Sequence, residues 1–274
     1  IDTEPVNVEE IRSALRGYPV LRRAAEILWS ARAVAERALA KPGEVGRPPR
    51  SRLMERDVES LLKWGLLEPL ARSEGKHVRW MSLFKVPKSD SRWTRLIMSP
   101  KVNATSSKPP SFAVGSPRTL IDAVTERPWG VSGDYLNFFY TLTMPRGARR
   151  IFAVQLRVRS RLRVLGSRRQ PMGWSHVPAC AQAVSCYAAA APFKGVTGSD
   201  KAFVIIDNTL LLEETFDEGV NTRLRFLATA KQLNLRFGED PGPPSLVFTH
   251  AGILFDSSNG GLRWTFKAGW AERV

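Results

Sequence analysis

Two aspartates stand inside apolar, strand-like runs of the sequence: Asp134 in WGVSGDYLNFF and Asp207 in FVIIDNTLLL. Taken singly, each reads equally well as a turn or capping residue. A carboxylate amid an apolar strand is costly unless it is paired or bound to a cation. Two such carboxylates brought together suit Mg²⁺, a hard ion that takes carboxylate and phosphate oxygens. Ions held in this way serve transfer at phosphorus, sharpening an attacking hydroxyl and stabilising the leaving phosphate. The remaining candidates offer less. Cys180 and Cys186 lie six apart with no paired histidines, so a zinc site is excluded. His77, His176 and His250 are scattered and read as structural.

The charge of the chain fits a phosphate-rich substrate. Of 274 residues, 41 are Lys or Arg and 26 are Asp or Glu, a net charge of +15. Such an excess usually meets a polyanion, nucleic acid before a membrane surface. Nine arginines and no acidic residue lie between Arg146 and Arg169. A merely solvated face mixes signs, so Arg157, Arg159, Arg161, Arg163, Arg168 and Arg169 are candidates for phosphate contacts along a nucleic-acid backbone. Apolar residues at 43% suffice for a core and argue against a wholly disordered chain. No run approaches 18 apolar residues free of charge, which excludes a transmembrane helix. The chain begins at Ile1 without a signal-peptide pattern, from which a trimmed or processed chain is expected.

The elements that must position these residues follow from periodicity. Three-and-four spacing predicts helix from Val8 to about Ala40, broken near Gly17 and Pro19. Ala40 to Arg52 is rich in Pro, Gly and Arg and reads as a linker. A short helix is expected from Glu55 to Trp64, stopped by Gly65. Val78 to Ile97 reads as strands around the polar turn Lys88-Ser89-Asp90-Ser91, and Lys101 to Ser116 as loop. Arg149 to Val164 alternates apolar and basic residues, which predicts a strand or hairpin with one basic face. Helices are expected at Val177 to Ala191 and Glu218 to Leu233. Ala202 to Leu212 is an apolar strand run interrupted at Asp207-Asn208, and Ser245 to Asp256 is a candidate strand pair.

In order along the chain, several segments resemble the motifs of reverse transcriptases. VPKSDSRWTRLIMSPKVN (86–103) is similar to the fingers motif often written VPKKDGSWRPVIDLRALN, at equal length. PSFAVGSPRTLIDAV (110–124) resembles the segment that follows it. GDYLNFF (133–139) resembles motif A and PMGWSHVPACAQ (171–182) motif B. IIDN (205–208) stands where motif C carries Tyr-x-Asp-Asp. LNLRFGEDPG (233–242) is similar to motif D and FTHAGILFD (248–256) to the primer grip. LLKWGLLEPL (61–70) resembles the segment before the fingers in LTR-type and tyrosine-recombinase (DIRS-like) retroelements.

The resemblance implies an α+β right-hand polymerase, with fingers and an antiparallel palm sheet backed by helices. A helical extension and linker would occupy residues 1–51, fingers and palm 52–256, and the start of a thumb or connection 257–274. Asp134 and Asp207 would hold two Mg²⁺ ions, with Mn²⁺ as a possible substitute. Phe139 would take the steric-gate position against the 2′-hydroxyl. Lys88 and Arg95 would reach the triphosphate, while Met172, Gly173 and Trp174 would form the bend over the nucleotide. The implied partners are an RNA template and a DNA primer.

The pattern also departs from the family. Asn208 replaces the second Asp of motif C, Ile205 replaces Tyr, Thr94 stands at an arginine position, Met98 and Pro100 replace Asp and Arg, and motif D lacks a lysine. These departures leave a second expectation open: a catalytically inactive relative acting as an RNA-binding scaffold in a ribonucleoprotein such as a ribosome or its assembly intermediate.

Overall fold

Helix starts in this chain follow local capping chemistry, and the computed structural model shows it residue by residue. It describes residues 4–44, 46–51, 53–71, 78–87, 94–112, 114–193 and 200–266. Helices α1 (Val8–Ala14), α2 (Pro19–Ala25) and α3 (Ala31–Ala38) are separated by short 3-10 turns. The break at Gly17 and Pro19 is as the sequence predicts. The further break before Ala31 comes from Ser30, whose Oγ accepts the Ala33 N–H as an N-cap. Helix α4 (Glu55–Lys63) ends at Gly65, which adopts φ +63°, the left-handed stop expected there.

Strand β1 (Leu67–Pro69) follows, then β2 (Met81–Pro87) and β3 (Thr94–Pro100), which pair as an antiparallel ribbon. The polar turn between β2 and β3, with Lys88, lies outside the described residues, as does His77. Helix α5 (Pro117–Glu126) was not foreseen by periodicity. Its signal is local: Ser116 Oγ accepts the Thr119 N–H, and Pro117 occupies the first turn, where its missing N–H costs nothing.

Strand β4 (Trp129–Asp134) leads to a 3-10 turn at Phe138–Tyr140. Strands β5 (Ala153–Val158) and β6 (Arg161–Ser167) form a hairpin across Arg159 and Ser160, both at positive φ. Helix α6 (Val177–Ala190), strands β7 (Ala202–Ile205) and β8 (Asn208–Glu213), helix α7 (Phe216–Gln232) and strands β9 (Val247–His250), β10 (Ile253–Asp256) and β11 (Arg263–Phe266) complete the chain. Thr215 and Glu218 cap α7 reciprocally. Thr215 Oγ1 accepts the Glu218 N–H, and the Glu218 carboxylate accepts the Thr215 N–H, so the helix starts two residues earlier than its apolar spacing suggests.

The chain forms two compact units. The first gathers Ile1–Val8, Arg22–Pro110 and Phe139–Cys180; the second gathers Glu9–Leu21, Ser111–Phe138 and Ala181–Val274. In the first unit lie the ribbon β2–β3 and the antiparallel sheet β1-β6-β5. In the second, one antiparallel sheet runs β4-β8-β7 and another β11-β10-β9. The second unit's core joins Leu120 and Val124 of α5, Leu210 and Leu212 of β8, and Phe248 and Phe255 of β9 and β10.

Candidate active site

The sheet β4-β8-β7 is what places the two aspartates. Asp134 is the last residue of β4 and pairs in register with Asn208, the first residue of β8. Ile205 of β7 also pairs with Asn208. The loop between β7 and β8 is therefore only Ile206 and Asp207. Asp207 is a turn residue, where the sequence interrupts the apolar strand run at Asp207-Asn208. The reason is register: closing the hairpin within a ten-residue apolar stretch requires a two-residue loop, and Ile206-Asp207 is its midpoint. The turn carries strain. Ile206 adopts φ +57°, uncommon for a β-branched residue.

Four hydrogen bonds hold this turn and its neighbour strand. The Tyr135 N–H donates to the Asp207 carbonyl at 3.2 Å. The Ile206 N–H donates to the Gln182 side-chain oxygen at 2.7 Å, and Gln182 Nε2 donates back to the Val204 carbonyl at 2.9 Å. Thr209 Oγ1 donates to the Gly133 carbonyl at 3.0 Å, tying β8 to β4 beside Asp134. Gly133 is required by close approach: a Cβ there would meet Phe237 Cε1 at 2.9 Å and Phe226 Cε1 at 3.2 Å. Those two rings, with Tyr135, form an aromatic floor under the end of β4. Gln182 and Thr209 were missed as positioning residues from sequence; a buried amide or hydroxyl in an apolar stretch was the available signal.

The electrostatics follow from the placement. The Asp134 carboxyl is raised above the usual carboxylate range, first by partial burial and then by the charge of Asp207. The carboxylates thus repel one another, and a cation between them would relieve that repulsion. Asn208 Oδ1, directly across from Asp134, is buried without a hydrogen-bond partner among the described residues. Among the described residues no cluster of three or more His, Cys, Asp or Glu is formed. Two carboxylates with no dedicated cage match the way Mg²⁺ is usually held, its other positions going to water and substrate phosphates. The donor set fits that ion.

The other candidates from the sequence lie in the first unit. Phe139 is half-buried in the 3-10 turn 138–140. Arg95 is exposed on β3, and its charge acts on Tyr140, whose hydroxyl is pushed up to about 12 by burial. Met172 is half-buried and within reach of the Tyr140 hydroxyl. Trp174 is fully buried, its Nε1 donating to Ser106 Oγ and its ring packed on Phe152 and His176, so its side chain is core. Gly173 is bare because β3 needs the space: a Cβ would lie 2.6 Å from the Met98 carbonyl oxygen. Asn103, unnoticed in the sequence, clamps this bend by donating to the Gly173 carbonyl and accepting the Ser175 N–H.

The arginine stretch is also rearranged. Arg161 and Arg163 stand on one face of β6, opposite Val158 and Leu156, whereas Arg157 pairs with Leu162 on the other face and Arg159 sits in the turn. A single basic face is not formed, because the hairpin register splits the alternation. Arg157, Arg159, Arg161 and Arg163 are exposed, and Arg168 is partly so. Arg169 is only 5% exposed and does not share their surface. Arg159, Arg161 and Arg163 instead rim a groove of about 1630 Å³, floored by Leu62, Leu70 and Val164.

No protein-family model matches the sequence, and no curated protein matches it. Among solved structures, the chain is similar to the foamy viral protease-reverse transcriptase dRH in complex with ds DNA. The TM-score is 0.64 at 15% identity, over 100% of this chain and 50% of that one. It is likewise similar to the foamy viral protease-reverse transcriptase in complex with dsDNA, with TM-score 0.63, 16% identity and coverage of 100% and 59%. Against the native Prototype Foamy Virus protease-reverse transcriptase the TM-score is 0.53 at 17% identity, over 86% of this chain and 33% of that one. The chain therefore spans about half the length of the first two. The likeness is one of fold: helices and antiparallel sheets arranged in a reverse-transcriptase-like way.

Proposed function

We propose that the chain is an RNA-directed DNA polymerase, a reverse transcriptase of retroelement type related to LTR or DIRS-like elements. The observation that carries this reading is the juxtaposition of Asp134, at the end of β4, with Asp207, in the β7–β8 turn, on a fold similar to that of reverse transcriptases. In this reading the second unit is the palm and the first the fingers. Residues 1–51 form an extension and 257–274 begin a thumb or connection. Asp134 and Asp207 would hold Mg²⁺, or Mn²⁺, whose chemistry there is to sharpen the primer 3′-hydroxyl and neutralise the leaving pyrophosphate. Phe139 excludes the ribose 2′-hydroxyl by volume, and Lys88 and Arg95 draw the triphosphate. Met172 and the backbone of Gly173 and Trp174 face the nucleotide, while exposed arginines steer RNA template and DNA primer by charge.

A second reading is favoured by Asn208 and Thr94: a catalytically silent relative that binds RNA within a ribonucleoprotein. Primer extension on poly(rA) with an oligo(dT) primer separates the two. Incorporation with Mg²⁺ or Mn²⁺ supports the polymerase. Template–primer binding without incorporation under either ion, persisting in Asn208→Asp combined with Thr94→Arg, supports the scaffold.

A further inference from the structure

Helix α4 and the β5–β6 hairpin line a groove that lies wholly within the first unit. Its volume of about 1630 Å³ exceeds the roughly 300–1,000 Å³ of a small-molecule pocket. Leu62 of α4, Pro69 of β1, and Val158 and Leu165 of the hairpin give it an aliphatic lining. Four cations stand around that lining, Lys63 on the helix side and Arg159, Arg161 and Arg163 on the hairpin side, against the single carboxylate of Glu59. The other acids of α4 are engaged elsewhere: the Glu55 carboxylate accepts the Ser160 N–H, and Asp57 pairs with Lys85. Among the described residues none of the four cations forms an ion pair. Arg149 and Arg168 of the same unit, by contrast, share Glu68.

We propose that this groove receives an acidic amphipathic helix of a partner protein, with apolar residues against Leu62, Val158 and Leu165 and carboxylates against Lys63, Arg161 and Arg163. The excess of cations without an internal partner selects an acidic occupant. The aliphatic lining selects a peptide over a nucleic-acid strand. A single strand binds by stacking its bases on aromatic rings as well as by charge. Among the described residues the one aromatic ring lining the groove is Trp80, half-buried and with its Nε1 donating to the Gly46 carbonyl. Apolar residues at i, i+3, i+4 and i+7 of a helix form one stripe, the shape that fills such a groove. Arg157, exposed on the opposite face of the hairpin, takes no part. The groove serves in this way whether or not Asp134 and Asp207 perform chemistry.

The test is fluorescence anisotropy with the full chain at about 0.15 M salt. The probe is a labelled peptide of about 18 residues, long enough to hold a helix, with leucine at i, i+3, i+4 and i+7 and glutamate at most other positions. One control peptide exchanges the leucines for serine, and a second exchanges the glutamates for glutamine. Native protein should bind the probe at least about tenfold more tightly than either control. Lys63→Glu on the helix side and Arg161→Glu on the hairpin side should each weaken binding about tenfold. Both positions are exposed, so the fold is not at stake. Arg157→Glu should leave the affinity within about twofold of native, because solvent screens a charge on the far face. A native protein that ignores the probe, a serine peptide bound as tightly as the probe, or a loss in Arg157→Glu equal to that in Arg161→Glu would overturn the proposal. Two further results would do the same. A single-stranded oligonucleotide weakened by Lys63→Glu and Arg161→Glu but not by Arg157→Glu, with the peptide unbound, gives the groove to a strand. Sedimentation showing a dimer that Lys63→Glu dissolves gives it to a second copy of the chain.

Discussion

Replacing Asp207 by Asn should move stability and activity in opposite directions. The two carboxylates repel, and that repulsion is one of two causes raising the Asp134 carboxyl. Asp134 is solvent-exposed at the strand end, so the interaction is screened, and an exposed charge pair is worth roughly 0.2–1 kcal/mol. Neutralising Asp207 without changing its shape should therefore raise Tm by about 1–3 °C in metal-free buffer at neutral pH. The pH dependence has a definite sign. A carboxyl raised in the folded state favours folding fully below its unfolded value, and that advantage is lost as pH rises through the raised value. The variant should show a smaller loss over this window, leaving only the burial contribution. Added Mg²⁺ should stabilise native protein and not the variant. Primer extension should fall by at least about a thousandfold, or on the order of 4 kcal/mol in the barrier. Calorimetry across pH 3 to 7 with and without Mg²⁺, run beside primer extension, reads all of these. A variant less stable than native in metal-free buffer, or one extending primers normally, refutes the reasoning.

Other substitutions probe the remaining parts. Phe139→Val should admit ribonucleotides, seen as a shift in selectivity between rNTP and dNTP; unchanged discrimination makes Phe139 a packing residue only. Gly173→Ala should destabilise by about 1–3 kcal/mol in urea unfolding, since the new Cβ meets the Met98 carbonyl at 2.6 Å. Neutralising Arg157, Arg159, Arg161 and Arg163 together should reduce the slope of log K against log salt by up to about 3, and a constant slope would put the nucleic acid elsewhere. Burial depresses His250 to about 4 from 6.5, so its contribution is whole above pH 6.5 and lost as pH falls through 4. His250→Phe should flatten acid unfolding over that range, and an unaltered acid limb would assign the titration to other groups.

The stop of α4 was readable because its signal is local: Gly65 turns left-handed just past the helix. What stayed hidden depends on partners distant in sequence. Nothing near Gly173 announces that the Met98 carbonyl fills its missing side chain. Trp174 sits in a motif whose neighbours face ligand in the family it resembles, yet its indole finds Ser106 inside the core. The alternation of Arg157 to Arg163 suggests one basic face only if the stretch is a single strand. Folding it at Arg159-Ser160 sends Arg157 to one side and Arg161 and Arg163 to the other. The turn itself was disguised, because neither residue is Gly or Asn; Glu55 accepts the Ser160 N–H and helps hold it.

Gln182 has a mechanical consequence. Its amide grips both sides of the β7–β8 turn, accepting from Ile206 and donating to Val204, at 2.7 and 2.9 Å. Glu lacks the donor and Leu lacks both functions, so no near-isosteric apolar or charged residue can reproduce the grip. Helix α6 rises about 1.5 Å per residue, and a slip of that size would stretch both bonds beyond hydrogen-bonding range. The β7–β8 turn that carries Asp207 is thus registered to one turn of a helix, and a shift of α6 would act on Val204 of β7 as well as on Ile206.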